Sequence, residues 1–322
     1  MKLYFDIIII TGIFATAVPA IFLLYHRSFS ENSLENKFKN TSLILSLVLF
    51  IGSMVLIYGS FFEPKLLITN EQEINMEGIN NEIEIILIAD PQVGPYKQEK
   101  YLEKIITRIM ELKPDIILIA GDIVNNGIPN KDETVYLDPL KKLPLIAPTY
   151  AVHGNHEYGI GSENPEDKKE SLSPDVSQTV KIAIENLSIK YLENDLELIE
   201  VNSEKFYLFG GDSYWARKLD FSTLNNREED IPTIALIHNQ AAIYEATKHN
   251  VDLVLSGHTH GGQIRFPFVG PLGRVDGSTP NELYQGLHQF GSTTLFVSSG
   301  VGETGTRARL FNPPEIVLIK IN

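Results

Sequence analysis

The sequence predicts a mixed α/β domain with two sheets, preceded by two membrane-spanning helices. Two apolar stretches without a charged side chain, 7–25 and 41–62, lie near the start of the chain. From residue 83 onward, short β-branched runs alternate with segments of helical periodicity. The runs lack polar alternation, which indicates strands buried on both faces, as in α/β or α+β layered folds.

The two apolar stretches predict helices over about 4–25 and 41–62. At 1.5 Å per residue, the second spans roughly 33 Å, about the thickness of a hydrocarbon core. The alternative is a cleaved signal peptide followed by one anchor, but Asp6 and the lone Lys2 make a poor positive n-region. We therefore expect a membrane anchor over 1–63 and a globular domain over 64–322.

The basic residues beside the two spans give an expected orientation. Both termini lie on the same side of the membrane if both helices cross it. The connecting loop carries Arg27, Lys37 and Lys39, whereas the outer flanks carry Lys2 and Lys65. The positive-inside tendency favours a cytoplasmic loop and an external domain, in a cell-membrane protein that crosses the bilayer twice.

The pattern after residue 82 gives the order of elements in the globular domain. A helix is expected over 97–113, where apolar side chains recur at helical spacing. The polar segment 157–180 is expected to form an inserted loop at the rim of a site. Strands are expected over 83–89, 115–120, 149–152, 205–209, 233–237, 251–256, 294–298 and 315–321.

Composition excludes some partners and some ligands. The chain has 27 Lys and Arg against 41 Asp and Glu, a net charge of −14, and the acidic excess lies after the apolar stretches. A nucleic-acid backbone is therefore not expected as the main partner, because such sites need clustered basic side chains. The absence of cysteine excludes disulfides and thiolate ligands.

Five short polar segments, several of them directly after β-branched runs, supply carboxylate, amide and imidazole groups. One such residue alone fits a helix cap or a satisfied polar group, but the five together suit two adjacent divalent cations. A dinuclear site of this kind cleaves phosphate esters. The segments are Asp90-Pro91-Gln92, Gly121-Asp122, Gly154-Asn155-His156-Glu157, His238-Asn239 and Gly257-His258-Thr259-His260-Gly261-Gly262.

Asp122 is the best candidate for a bridging ligand, because a carboxylate can give one oxygen to each of two metals ~3.5–4 Å apart. Asp90 can serve one metal from a neighbouring strand end. Asn155 can offer its amide oxygen, and His238 and His258 their ring nitrogens, to the other metal. His260 lies two residues after His258 in a Gly-flanked turn, from which both rings can face one centre.

His156 and Glu157 are the candidate catalytic residues. Glu157 follows His156 directly and could orient its ring and raise its basicity. A positioned imidazolium could then protonate the leaving oxygen or stabilise the phosphoryl oxygens.

With these motifs, the chain resembles the calcineurin-like metallophosphoesterases over about residues 64–322. That family carries D-x-H, G-D, G-N-H-D/E, H and G-H-x-H motifs, and the resemblance implies a four-layer α/β/β/α sandwich. Within the family, Gly257 to Ile264 (GHTHGGQI) and Pro313-Pro314-Glu315-Ile316 are similar to a membrane-associated bacterial branch. Members of that branch include proteins that cleave the pyrophosphate of UDP-2,3-diacylglucosamine.

The resemblance also implies roles for the candidate residues. His156 contacts the phosphate. Arg309 matches a recurrent arginine of the branch and is a candidate to bind a phosphate, with a salt bridge to the acidic surface as the alternative. Two divalent ions are implied; Mn²⁺ is preferred, with Mg²⁺, Fe or Zn²⁺ as alternatives. One metal is held by Asp90, Asp122 and His260, and the other by Asp122, Asn155, His238 and His258.

Gln92 departs from the family pattern, since the first motif is usually D-x-H. Its amide oxygen could still ligate, which makes that site harder and suits Mn²⁺ or Mg²⁺ better than Zn²⁺. We predict that one metal binds more weakly here than in His-containing relatives.

The sequence therefore predicts a membrane-anchored, two-metal hydrolase of phosphodiester or pyrophosphate bonds. The anchor favours a lipid-linked substrate, with UDP-2,3-diacylglucosamine or a related lipid head group first, and the bilayer itself as a partner. One alternative is a phosphatase or phosphodiesterase that acts on a soluble substrate. The other is a metal-binding scaffold that has lost activity, which the glutamine at position 92 would fit.

Overall fold

The computed structural model describes residues 2–94, 96–126, 131–161, 173–272, 277, 279–305 and 307–322. The chain begins with a helical hairpin made of α1 (Lys2–Phe29), the short α2 (Leu34–Lys37) and α3 (Lys39–Ile57). One turn of π-helix, Tyr58–Phe62, and one of 3-10 helix, Glu63–Lys65, then lead into the domain. The predicted helices are thus present, and both are long and apolar enough to cross a membrane by length and composition.

Polar contacts join the two long helices along their shared face. The Thr16 and Ser53 hydroxyls lie 2.6 Å apart, and the Ser46 hydroxyl donates to the Ala20 carbonyl at 2.8 Å. The opposite faces are apolar and exposed, as at Phe14. Polar side chains thus lie between the two helices, and apolar side chains face outward.

The strands and helices of the domain follow in chain order. The helices are α4 (Glu99–Leu112), α5 (Ser177–Glu185) and α6 (Ile243–Ala246). The strands are β1 (Ile68–Ile74), β2 (Ile83–Ile88), β3 (Ile116–Ile119), β4 (Thr149–Val152), β5 (Lys190–Leu192), β6 (Asp195–Val201), β7 (Glu204–Gly210), β8 (Thr233–Leu236), β9 (Leu253–Ser256), β10 (Arg265–Phe266), β11 (Gly270–Pro271), β12 (Gly286–Phe290), β13 (Thr293–Val297) and β14 (Glu315–Ile321).

Two six-stranded sheets form the body of the domain, as the sequence predicts. The first has the order β1-β14-β2-β3-β4-β5, and its strands β2 to β5 are parallel. The second has the order β12-β13-β9-β8-β7-β6, and β7, β8, β9 and β13 are parallel. A two-stranded hairpin, β10 with β11, stands apart from both sheets.

The core explains why the β-branched runs carry no polar alternation. Ile85 and Leu87 of β2 point between the two sheets, where they pack with Leu236 and Leu255 of the second sheet. Residues of opposite parity, such as Ile86, pack outward against α4 and α5. Short helical segments that include α6 cover the outer face of the second sheet. Both faces of each sheet are therefore buried.

The helical hairpin is tied to the domain through hydrogen bonds. The Arg309 amide donates to the Gly59 carbonyl at 2.9 Å. The Glu63 carboxylate is buried and accepts the Asn312 amide at 2.6 Å. The predicted boundary between 63 and 64 stays a prediction, but a fragment that begins at residue 64 loses this carboxylate.

The predicted inserted loop over 157–180 is described only at its two ends. Residues 162–172 lie outside the described residues, and α5 begins at Ser177.

Candidate metal centre

The carboxyl ends of five parallel strands carry the predicted ligands to one edge of the sandwich. This is the edge at which α/β folds place their sites, because the loops after parallel strands meet there. Asp90 follows β2, Asp122 follows β3, Asn155 follows β4, His238 follows β8 and His258 follows β9.

Asp122 lies at the middle of this group and is 1% exposed. Its Oδ2 atom is 3.2 Å from His238 Nε2 and 3.8 Å from His156 Nε2. The Gln92 amide nitrogen donates to the same oxygen at 3.0 Å. The other oxygen, Oδ1, accepts the His156 backbone N–H at 2.9 Å. A carboxylate with neighbours on both oxygens fits the predicted bridging position.

Two imidazole rings and an amide flank one side of Asp122. His258 Nδ1 is 3.2 Å from His238 Nε2 and 3.0 Å from the Asn155 side-chain oxygen. One ligand atom each from Asp122, His238 and His258 lies within 4.8 Å of the others. His238 Nδ1 is 2.7 Å from the Ala120 carbonyl, which can only accept, so Nδ1 carries the hydrogen and Nε2 faces the centre. Metal-binding histidines are commonly oriented in this way.

His260 and Asp90 lie on the other side of the centre. Both are fully buried, and His260 Nε2 is 3.6 Å from Asp90 Oδ1. Within the part of the chain that the structure describes, neither ring nitrogen of His260 has a hydrogen-bond partner. A buried polar atom without a partner carries a substantial free-energy penalty. A bound cation would remove this penalty, so the residues present fit a metal.

Burial and neighbouring charges shift the pKa values of the two aspartates in opposite directions. Burial opposes ionisation of Asp122, but the neighbouring His238 and His156 outweigh it and hold the pKa of Asp122 well below its usual range. Burial raises the pKa of Asp90 to about 7, against the lowering effect of His238. A divalent cation beside Asp90 would supply the positive charge that its ionised form needs.

The backbone is strained where the candidate ligands lie. Residues other than glycine rarely adopt a positive φ, and such residues cluster at functional sites. Five candidate ligands do so: Asp90 (54°), Gln92 (49°), Asp122 (49°), His258 (71°) and His260 (50°).

Two glycines allow the carboxylates to approach the backbone of neighbouring loops. A Cβ atom on Gly154 would lie 2.1 Å from Asp122 Oδ1, and one on Gly257 would lie 2.5 Å from Asp90 Oδ2. No larger residue fits at either position while the carboxylates stay in place. The glycines of the G-N-H-E and G-H-T-H motifs are thus required by the packing of the ligands.

Gln92 lies at the centre, with its amide nitrogen rather than its oxygen towards Asp122. Its Oε1 atom accepts from the Asn125 side chain at 2.9 Å. Ligation through the oxygen requires the amide to turn over and give up both hydrogen bonds. The prediction that Gln92 binds metal therefore stays a prediction.

The predicted partnership of Glu157 with His156 is wrong. The Glu157 carboxylate is fully buried and turns away from the ring, towards the backbone amides of the two loops that carry the ligands. It accepts the N–H groups of Asp122, Ile123, Val124 and Gly154 at 3.2, 2.7, 3.3 and 2.8 Å. Glu157 is a positioning residue, because its carboxylate holds the loops after β3 and β4 together.

His156 is oriented by a backbone carbonyl instead. Its Nδ1 atom is 2.5 Å from the Asn125 carbonyl, so Nδ1 carries a hydrogen. Its Nε2 atom lies 3.5 Å from Thr304 Oγ1, and the side chain is 22% exposed. His156 can therefore present Nε2 to a group that enters from solvent. Sequence reasoning missed Asn125, since the role belongs to its backbone and leaves no signal in the side chain.

Both predicted roles of Arg309 are wrong, since it neither faces the open site nor pairs with the acidic surface. It is fully buried, and its guanidinium donates to backbone carbonyls. The acceptors are Ser299 (2.7 Å), Gly300 (3.1 Å), Gly302 (2.6 and 3.3 Å) and Asn312 (3.1 Å). A Cβ atom on Gly300 would lie 2.8 Å from Asp90 Oδ2, so the loop around Gly300 packs closely on Asp90. Through its hydrogen bonds to this loop, Arg309 holds the loop in shape.

Arg309→Lys is expected to lower the free energy of unfolding by about 2–4 kcal/mol, because a lysine cannot replace the fork of donors and leaves buried carbonyls unpaired. Urea denaturation of the full chain measures the change. Arg307→Lys is the matched control, since Arg307 lies over the rings of Tyr96 and Phe61, where a lysine keeps the charge. Equal stability of the two variants would contradict the role assigned to Arg309.

Two further residues contact the ligands from outside the predicted motifs. The Asn312 side chain donates to the His260 carbonyl at 2.7 Å. The Trp215 ring meets the His258 ring edge-on, with centroids 4.3 Å apart. Each lies more than 40 residues from its partner, and no local pattern in the sequence relates the members of either pair.

Comparison with known proteins agrees with this geometry. Residues 83–262 match the family model described as calcineurin-like phosphoesterase. The metallophosphoesterase YkuE of Bacillus subtilis is 28% identical over 270 residues, which cover 82% of this chain and 88% of YkuE. A metallophosphoesterase of Helicobacter pylori is 31% identical over 300 residues, covering 89% and 73% of the two chains. The phosphodiesterase YaeI of Escherichia coli is 30% identical over 238 residues, covering 74% and 81%.

The family match spans every predicted metal ligand, from Asp90 to His260. The side chains that the family motifs require converge at one edge of the two sheets and include a cluster that could hold a metal ion. The chain belongs to the calcineurin-like phosphoesterase family and is a metal-dependent phosphoester hydrolase.

Proposed function

We propose that this protein hydrolyses a phosphodiester or diphosphate bond of a lipid-linked substrate at a membrane surface. The observation that carries the hydrolytic part is the position of Asp122, with His238, His156 and Gln92 all within 4 Å of one of its oxygens. The leading substrate is UDP-2,3-diacylglucosamine or a related lipid head group, on the resemblance of GHTHGGQI to the bacterial branch that acts on it.

The proposed centre holds two divalent cations, and bound there they would polarise a phosphoryl oxygen and lower the pKa of a water. The hard oxygen donors, together with imidazole, favour Mn²⁺ among the metals that suit such a set. One position would use Asp90, Asp122 and His260, with Gln92 beside it. The other would use Asp122, Asn155, His238 and His258.

His156 is the residue placed to move a proton. The hydrogen bond from Nδ1 to the Asn125 carbonyl fixes the ring, so Nε2 carries the second proton in the imidazolium form. The exposed edge of the ring can bring that proton to the leaving oxygen or stabilise the phosphoryl oxygens. General acid catalysis of this kind contributes typically about 10²–10⁴-fold to the rate.

The helical hairpin supports the membrane part of the proposal. α1 and α3 carry exposed apolar side chains along their length, and the π-helical turn after α3 is hydrogen-bonded to the loop of Arg309 that packs on Asp90. A site tied in this way to two apolar helices is placed to act on a head group whose acyl chains stay in the bilayer.

The test compares bis-p-nitrophenyl phosphate with the monoester p-nitrophenyl phosphate, using the full chain in detergent with Mn²⁺. We expect diester turnover that a chelator abolishes and Mn²⁺ restores. Competition by UDP-2,3-diacylglucosamine would support the lipid-linked substrate. Diester turnover that is indifferent to every diphosphate lipid tried would instead favour a soluble substrate.

Gln92→His tests whether the glutamine marks an adapted or a decayed site. We expect tighter binding at the weaker of the two Mn²⁺ sites and a changed metal preference, because an imidazole replaces an amide beside Asp122. Calorimetric titration of the metal-free protein measures both affinities. A large gain of activity from near zero would show decay, and equal affinities at both sites of the unmodified protein would contradict the prediction of one weak site.

A further inference from the structure

The domain reaches past the end of the helical hairpin and packs against its side. Ile264 and Ala308 of the domain form one apolar cluster with Ile9 and Ile13 of α1 and Leu56 of α3. Leu56 lies six residues before Phe62, where the apolar stretch ends, which is about 9 Å along a helix. The contacting loops therefore lie at the level of the last turns of the apolar stretch.

The hairpin of β10 and β11 begins at this contact and carries an exposed apolar surface. Residues 266–272 (FPFVGPL) contain no charged side chain. Phe268 is fully exposed, Val269 is 65% exposed and Leu272 is 59% exposed. Phe311, from a neighbouring loop, is 57% exposed and lies 5.9 Å from the Phe266 ring. We call residues 264–272 and Phe311 the apolar hairpin.

Exposed clusters of large apolar side chains in soluble proteins mark contacts with a partner or a membrane. The apolar hairpin is continuous with α1 and α3, and this continuity favours lipid as the contact. Ile264, at the base of the apolar hairpin, already packs on the helix pair. If α1 and α3 lie in lipid, the rings beside Ile264 lie at the lipid–water interface, which is where aromatic side chains concentrate.

Basic side chains just beyond the apolar stretch agree with this level. Lys65 is exposed and lies three residues after Phe62, where the apolar stretch ends. The Arg307 guanidinium lies 5.9 Å from the Phe61 ring and 5.0 Å from the Tyr96 ring. Cations that lie just outside apolar and aromatic side chains match the phosphate layer above the hydrocarbon core.

The apolar hairpin is also the direct continuation of the metal-binding turn. His260 lies four residues before Ile264, and the Arg265 side chain donates to the Gly261 carbonyl at 3.1 Å. The apolar hairpin is therefore joined directly to the turn that carries His258 and His260.

We propose that the apolar hairpin enters the lipid–water interface beside α1 and α3 and holds the metal centre at the bilayer surface. A substrate with acyl chains would then reach the centre from the plane of the membrane rather than from bulk water. The insertion follows from the geometry of the apolar hairpin, whereas the route of the substrate rests on the function proposed above.

The test places single fluorescent labels on the full chain in nanodiscs of phosphatidylcholine and phosphatidylglycerol. The chain has no cysteine, so Phe268→Cys gives one labelling site for an environment-sensitive fluorophore. Lys205→Cys is the control, because the exposed Lys205 lies at the amino end of β7, opposite the edge that carries the metal centre. Phe311→Cys repeats the measurement on a second loop in case the first variant folds poorly.

We expect a spin-labelled lipid to quench the label at 268 and at 311 several-fold more strongly than at 205, and aqueous iodide to show the reverse order. Equal iodide quenching at all three positions, without quenching by the lipid, would overturn the proposal. Such a result would leave the surface to a protein partner or to a second copy of the chain.

Turnover of bis-p-nitrophenyl phosphate in the same nanodiscs separates the two proposals. Lipid quenching without any diester turnover would uphold the membrane contact and count against the proposed function. Turnover without lipid quenching would uphold the hydrolase and reject the membrane contact. Among the described residues, no hydrogen bond or ring contact joins Phe268 or Phe311 to a candidate ligand, so labelling them should leave turnover of this soluble diester unchanged.

Discussion

Asp122→Asn is expected to lower kcat/KM for bis-p-nitrophenyl phosphate by about 10³-fold or more, because metal stabilisation of the transition state is worth several kcal/mol and about 1.4 kcal/mol corresponds to a factor of ten. The amide keeps the shape of the side chain but removes the charge at the middle of the centre. It also places an NH₂ group beside His238 or Gln92, where the carboxylate accepts contacts at 3.2 and 3.0 Å.

The measurement pairs steady-state kinetics with the metal content of the purified protein. We expect the variant to lose at least one of the two metals while its far-UV circular dichroism stays unchanged. Asp138→Asn is the matched control, since Asp138 is exposed and pairs only with Lys141 at 2.8 Å among the described residues. Full turnover by Asp122→Asn, with both metals retained, would rule out the bridging role.

The position of the metal ligands was predictable, because it follows from where each ligand lies in sequence relative to the end of a strand. Asp90 and Asp122 each follow an apolar run within two residues, and the ends of parallel strands meet at one edge of a sheet. The same logic placed His238 and His258 from the second sheet. No property of an individual side chain was needed beyond its type and its distance from a strand end.

The direction of a side chain was not predictable in the same way. Glu157 is next to His156 in sequence, but its carboxylate points into the space between two loops, and three of the four amides that it accepts come from residues more than 30 positions away. Arg309 matches an arginine of the family, but its partners are carbonyls, which leave no mark in the sequence. Such roles depend on backbone positions that only the folded chain defines.

The link between the helical hairpin and the site was also not predictable from the sequence. Hydropathy ends the apolar stretch at Phe62 and suggests a boundary there, yet Glu63 is 2% exposed and binds the loop that contacts His260. The sequence alone does not distinguish a buried glutamate after an apolar helix from a solvated one.

Glu157→Ala is expected to lower the free energy of unfolding by about 4 kcal/mol or more, because four backbone N–H groups lose their acceptor and each buried, unpaired donor is destabilising by about 1–3 kcal/mol. That is a large part of the total stability of a typical domain. Glu157→Gln keeps one acceptor oxygen but turns an NH₂ group towards the amides, so its loss should be smaller than that of alanine.

A positioning role and a catalytic role give different results for these variants. If Glu157 holds the loops after β3 and β4, Glu157→Gln weakens Mn²⁺ binding by about 10–100-fold, as the loss of a group that orients metal ligands does, and lowers stability in parallel. Urea denaturation and calorimetric titration measure the two effects, with the exposed Glu185→Gln as control. If instead kcat falls while stability and metal affinity are unchanged, Glu157 takes part in proton transfer and its assignment as a positioning residue is wrong. The carboxylate lies against four amides and turns away from the His156 ring, so we expect stability and metal affinity to fall together.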